Sequence, residues 1–193
     1  MDIRNFLFKY RGYTPIPIGI MIVYFARPEN AYFIVGFLLL LMGELIRMWA
    51  VSYAGGETRT RNVGAPELCT AGPYAFVRNP LYVGNVFMYL GVVMIAGAAN
   101  VWLMAATTAA FFIIQYSLIV ALEEETLENL FGTEYNEYRK NVPAIIPRLS
   151  RWSSKDSRES TGILKILRTE KRTLQNVIFI LFLITLRVQL FSR

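Results

Sequence analysis

The sequence predicts an all-α integral membrane protein of about five transmembrane helices, with a cytoplasmic loop and an amphipathic helix gathered at one end of the bundle. Three observations carry this. Of its 193 residues, 54% are hydrophobic, and mean hydropathy is +0.38. The excess is collected into runs of about 18 apolar residues, the length that crosses a bilayer. No segment alternates polar and apolar residues as a barrel strand would, and lipid leaves only helices or closed barrels viable.

Residues 1–148 read as one core. Within it, 13–53 form a helical hairpin. The first arm, Tyr13 to Ala26, starts among Pro15 and Pro17. It has no convincing small-residue cleavage site, so it is expected to stay as a helix rather than act as a removable signal. Arg27-Pro28-Glu29-Asn30 makes the turn, and Ala31 to Tyr53 is the second arm. That arm carries Glu44 and Arg47, three residues apart on one face, which suits a structural ion pair. Residues 54–80 are rich in Gly, Thr and Arg and long for a connector, as binding loops often are.

Residues 81–122 form the second hairpin. Leu81 to Ala99 and Val101 to Leu122 carry no formal charge, and the turn at Ala98-Ala99-Asn100 is very short. The arms must be antiparallel neighbours, so Tyr82 and Glu123 emerge at the same end. Residues 123–141 continue as an amphipathic helix, with Leu127, Leu130, Phe131, Tyr135 and Tyr138 recurring at helical steps and Pro143 and Pro147 ending it. Residues 149–173 are a basic, polar linker, and 174–193 hold a last span interrupted by Arg187.

Charge sets the orientation. Of the 20 Lys and Arg residues, 16 fall in 1–12, 54–80 and 123–173, all on one side of the predicted bundle. Basic loops stay inside, so that side faces the cytoplasm. The net charge of +6 serves topology and contact with anionic headgroups rather than nucleic acid. A bacterial or archaeal plasma membrane is the expected location. One cysteine, Cys69, rules out an intrachain disulfide. The lack of histidine rules out histidine-ligated metal and histidine acid–base chemistry, and no metal site is expected.

The mouth of the second hairpin concentrates the candidate chemistry. Pro80 suits the first position of a helix and pushes Asn79 out of helical geometry, as a cap requires. The helix N-terminus and Arg78 together make a place for a carboxylate or phosphate. Tyr82 lies in the first turn. Glu123 and Glu124 end the facing helix, where its dipole disfavours them. Taken singly these are also an ordinary capped start and a solvated helix end. Across one mouth they match a ligand with an anionic and a cationic end, such as an amino-acid moiety.

Gly72-Pro73-Tyr74, Arg78-Asn79-Pro80-Leu81-Tyr82-Val83-Gly84, the Glu123-Glu124 pair and Phe131-Gly132-Thr133-Glu134-Tyr135-Asn136-Glu137-Tyr138 with Val142-Pro143 resemble the isoprenylcysteine carboxyl methyltransferase family, related to the phospholipid N-methyltransferases. The resemblance covers roughly residues 55 to 148. It implies S-adenosylmethionine as cofactor, in a cytoplasm-facing pocket closed by the C-terminal and amphipathic helices. Carried over by position, the cofactor contacts fall on Pro66, Glu67, Leu68, Cys69, Tyr74, Asn79, Pro80, Leu81, Tyr82 and Glu123, with Arg59 a further candidate. Leu68 and Tyr74 would pack on the adenosine, Asn79 and the helix N-terminus would hold the carboxylate, and Glu123 would take the ammonium. Arg78, Tyr82 and Glu124 are expected nearest the reaction, Glu124 as the base for an amine or thiol acceptor. Cys69 is expected to pack rather than attack.

Two positions depart from the eukaryotic pattern. Asn79 stands where those members have His, and Ile119 stands where they carry an Arg four residues before the first Glu. Without that Arg the expected acceptor widens from a prenylcysteine carboxylate to a lipid or another apolar nucleophile. Phe87, Met88, Phe111, Phe112 and Tyr116 could admit its chain from the bilayer or simply pack the hairpin. Other readings of the whole chain are an NADPH-dependent sterol- or steroid-type reductase and a non-enzymatic membrane adaptor.

Overall fold

The structure is a computed structural model that describes residues 2–56 and 63–191. The described residues contain seven α-helices and no strand, as the all-helical expectation requires: α1 (Ile3–Lys9), α2 (Ile16–Tyr24), α3 (Asn30–Ala54), α4 (Pro80–Ala96), α5 (Val101–Phe131), α6 (Thr133–Asn141) and α7 (Ile163–Phe191). Among them α3, α5 and α7 are long and apolar enough to cross a membrane. The other two expected spans are shorter: α4 has 17 residues and α2 nine, because the prolines at 15 and 17 confine its start.

The frame of the bundle is α3 against α4. A Cβ at Gly43 would lie 2.6 Å from the Gly84 carbonyl oxygen, and one at Gly36 2.8 Å from that of Gly91. The two helices therefore touch backbone to backbone, as small residues permit inside lipid. The turns at the far end are tied together where the Arg27 N–H donates to the Ala96 carbonyl at 2.8 Å. Asn100 caps α5 by accepting from the Leu103 N–H at 3.0 Å. The expected antiparallel hairpin is present, and its open end holds Tyr82 and Glu123.

The expected amphipathic helix over 123–141 is two helices. α5 runs straight past the apolar stretch to Phe131 and stops at Gly132, whose φ of 51° lies in the left-handed region. α6 then turns back, burying Tyr135 and Tyr138 with Leu68 and Val142. The segment after it is laced to the loop at 66–78. The N–H groups of Arg148 and Trp152 donate to the carbonyls of Phe76 and Ala75, each at 3.0 Å, and the Thr70 N–H donates to Asp156 at 2.8 Å. α7 joins the basic stretch at 163–173 and the last apolar span into one continuous helix.

Candidate active site

The mouth is built from the first turn of α4 and the point on α5 where apolar residues give way to acidic ones. Tyr82, in the first turn of α4, donates to Glu123 Oε1 at 3.0 Å. On α5, Tyr116, Ile119 and Glu123 follow at helical steps and share one face. The Tyr82 and Tyr116 rings stack at 4.5 Å. Ile119 is fully buried among Phe8, Phe112, Tyr116 and Leu122, so its position is an apolar wall.

Beside this pair sits an ionic one. The Arg78 guanidinium is bonded to Glu124, to the Val142 carbonyl at 2.6 Å and to the Arg139 carbonyl at 3.0 Å. Arg139 lies 3.5 Å from the other Glu124 oxygen. The expectation that Arg78 lends its charge to the helix N-terminus is therefore modified: two of its nitrogens are spent on α5 and on the end of α6. Asn79 is out of helical geometry, as expected before Pro80, with φ −121° and ψ 55°, but its side chain does not cap α4. Its Nδ2 donates to the Ala144 carbonyl at 3.1 Å, and its backbone N–H to the same oxygen at 3.2 Å. The segment at 142–144 lies across the donors that the sequence pattern reserves for a carboxylate.

The loop residues divide. Tyr74 is half-buried in a short 3-10 turn (Gly72–Ala75), and its carbonyl accepts from the Tyr138 hydroxyl at 2.8 Å. Burial holds its phenol well above the usual tyrosine range; Cys69 and Glu123 add to the shift, while Arg47 and Arg158 oppose it. Burial also raises the Cys69 thiol, against the pull of Arg158, which suits a packed thiol rather than a reactive one. Leu68 is buried against α6, whereas Pro66 and Glu67 face outward and Glu67 pairs with Arg158 at 3.0 Å. Pro80 is buried and Leu81 half-buried at the start of α4. Arg59 lies outside the described residues.

Two contributors escape the sequence pattern. α1 is too short to register as a periodic segment, yet it buries Phe8 against α5, and Arg4 pairs with Glu125 at 2.9 Å. Its neighbour Arg11 sits over the Phe8 ring, 4.0 Å from the centroid. Asn85 is the second. A polar residue three places after Tyr82 in an apolar helix is the available signal, and it donates to the Tyr116 hydroxyl at 3.0 Å.

The class is thus a helical membrane protein with a polar, aromatic-lined mouth at the open end of an antiparallel hairpin. A family model described as phospholipid methyltransferase matches residues 31–134, more than half of the chain. The chain belongs to that family. It is 31% identical over 146 residues to the nickel-cobalt-cadmium resistance protein NccN of Alcaligenes xylosoxydans xylosoxydans, covering 76% of this chain and 62% of that protein. It is 35% identical over 114 residues to the protein-S-isoprenylcysteine O-methyltransferase of Schizosaccharomyces pombe, covering 56% and 46% of the two chains. Over 83 residues it is 37% identical to methanethiol S-methyltransferase 1 of Bradyrhizobium diazoefficiens, covering 42% and 27%. These matches bear out the family resemblance. The chain spans less than two thirds of the length of each of these relatives. No solved structure shows significant similarity to it.

Proposed function

We propose that this chain is an integral membrane methyltransferase that moves a methyl group from S-adenosylmethionine to a lipophilic acceptor, with its mouth on the cytoplasmic side of a bacterial or archaeal plasma membrane. The observation that carries the reading is the Tyr82–Glu123 hydrogen bond at the mouth of the α4–α5 hairpin, in a chain of the phospholipid methyltransferase family. Relatives named as methyltransferases of isoprenylcysteine and of methanethiol support it.

The residues fit the cofactor unevenly. Glu123, oriented by Tyr82, supplies the anion that an ammonium needs, and Tyr74 with Leu68 supplies apolar and aromatic surface for an adenosine. The carboxylate end is covered by the chain itself. A carboxylate would replace the Ala144 carbonyl as acceptor of the Asn79 Nδ2–H, since both are oxygens facing the same donor. Pro80, Leu81 and Cys69 shape the pocket wall in this reading, as do Pro66 and Glu67 at its outer edge.

When bound, S-adenosylmethionine supplies an electrophilic methyl group for in-line displacement. The chain's own task is alignment and exclusion of water. Glu124 is held by Arg78 and Arg139, so proton abstraction there would first have to break that pairing. We therefore assign Arg78 and Glu124 to holding α4, α5 and α6 together and Tyr82 to orienting Glu123. The apolar wall at Ile119 favours an acceptor that is uncharged where it meets α5. The test is incubation of the purified protein with methyl-labelled S-adenosylmethionine and host lipid extract. Label in a lipid-soluble product is expected from the wild type and absent with Glu123→Ala; no labelled product from the wild type would overturn the reading.

A further inference from the structure

A second polar cluster lies inside the bundle, beneath the mouth. Arg47 on α3 is 7% exposed, and Glu170 on α7 is fully buried. Arg47 Nη2 donates to both Glu170 oxygens, at 2.9 and 2.8 Å, and to Thr173 at 3.2 Å. Its Nη1 donates to Oδ1 of Asn85 on α4. Arginine can only donate, so the Asn85 carbonyl must face Arg47 and its NH2 must face Tyr116. Tyr116 stacks on Tyr82, and Tyr82 donates to Glu123. An unbroken path of contacts therefore runs from α7 through α3, α4 and α5 to the mouth carboxylate.

Buried ion pairs seldom stabilise a protein more than well-packed apolar residues would, so docking α7 does not by itself explain one here. α7 also lies outside the region that defines the family match, residues 31–134. We propose that Arg47 and Glu170 are positioning residues of the mouth. Glu170 holds Arg47, Arg47 fixes the polarity of the Asn85 amide, and Asn85 holds Tyr116 under Tyr82, which orients Glu123. α7 thereby completes the site instead of merely anchoring the chain. The inference rests on the reading of Glu123 as the ammonium-binding carboxylate.

The test compares Glu170→Gln, Tyr116→Phe, their combination, and the swap of Arg47→Glu with Glu170→Arg. Arg168→Gln, exposed on the same helix, is the control. The swap keeps an ion pair between α3 and α7 but presents a carboxylate to Asn85, which must turn its amide round. Affinity for S-adenosylhomocysteine is read by calorimetry on the folded fraction in detergent. Glu170→Gln and Tyr116→Phe should each weaken it about tenfold, the loss of one hydrogen bond to a charged or buried group. Combined, they should weaken it by little more than either alone, because they interrupt one path. The swap should recover thermal stability without recovering affinity, and the control should match the wild type.

Wild-type affinity in the swap, or effects that multiply to about a hundredfold in the combination, would overturn the proposal. A ligand-free readout separates this from the proposed function. In protein carrying isotope-labelled asparagine, the Asn85 side-chain amide resonance should move in Glu170→Gln and again in the swap. If the wild type binds no S-adenosylhomocysteine, the methyltransferase reading fails, and the Asn85 resonance alone decides the relay. An unmoved resonance overturns it. If Glu170→Gln does not fold, the swap and Tyr116→Phe carry the test, and wild-type affinity in either overturns the proposal.

Discussion

Two seams run along α3, and they are held in opposite ways. Against α4 the helix presents Gly36 and Gly43 to Gly91 and Gly84, and backbone meets backbone with Met88, Ile95 and the Arg47 stem packed alongside. Against α7 it presents Arg47, which reaches Glu170 and Thr173. Further along, α3 and α7 part around an apolar groove of about 510 Å³ lined by Phe33, Phe37, Leu181, Ile184 and Val188. Lipid gives helices no hydrophobic reason to associate, so each seam needs another source of attraction. The first uses shape and tolerates no added atom. The second uses one desolvated ion pair and leaves the rest loose. The lesson is a division of labour: the α3–α4 seam sets the position of the mouth, and the α3–α7 seam sets the electrostatics beneath it.

The largest effect expected is at the ionic seam. Glu170→Ala leaves the buried Arg47 without its carboxylate and should cost about 3–5 kcal/mol, read as thermal unfolding in detergent. A loss no larger than that of an exposed pair would show that the seam does not depend on Arg47.

The glycine seam comes next. Gly43→Val puts a side chain where the Gly84 carbonyl and Met88 already are, and should cost about 1–3 kcal/mol by overpacking. Gly36→Ala and Glu170→Ala act on different seams, so their costs should add to within about 0.5 kcal/mol. Strong coupling between them would mean that the two seams are one unit.

The smallest effect tests α6, which lies outside both seams. Burial pushes the Tyr135 phenol on α6 up to about 12 from an ordinary value of 10.0. A raised phenol binds its proton more tightly in the folded state. Its contribution is therefore fully present below pH 10 and is lost as pH rises through about 12. A pH series followed by tyrosinate absorbance should show α6 loosening in that window, and Tyr135→Phe should flatten the dependence.

The sequence is most readable where a single helix or turn decides the outcome. The α4–α5 hairpin follows from two uncharged runs and a turn too short for anything but antiparallel neighbours. The same inference brings Tyr82 to Glu123, and they are hydrogen-bonded. It is least readable where partners are far apart in the chain. Helical spacing matches Arg47 with Glu44, one step away, yet the carboxylate gripped by its Nη2 belongs to Glu170 on α7. The side chain of Asn79 looks like a cap because of the Pro that follows, but a carbonyl of the returning segment, at Ala144, takes its proton. The split of the amphipathic helix has a local signal in Gly132, which the continuing periodicity from Leu127 to Tyr138 masks.

In the proposed site, Glu123 and Tyr82 form the end that binds the ammonium of S-adenosylmethionine. A ligand that binds only the folded form raises its stability, by about 2.7 kcal/mol at a hundred times its dissociation constant. The most direct measurement is therefore thermal unfolding of the detergent-purified protein with S-adenosylhomocysteine, with NADPH as the comparison ligand. A clear upward shift is expected with S-adenosylhomocysteine, none with NADPH, a reduced shift in Tyr82→Phe and none in Glu123→Ala. An equal shift in the wild type and Glu123→Ala would contradict the placement of the site, and a shift with NADPH alone would contradict the function.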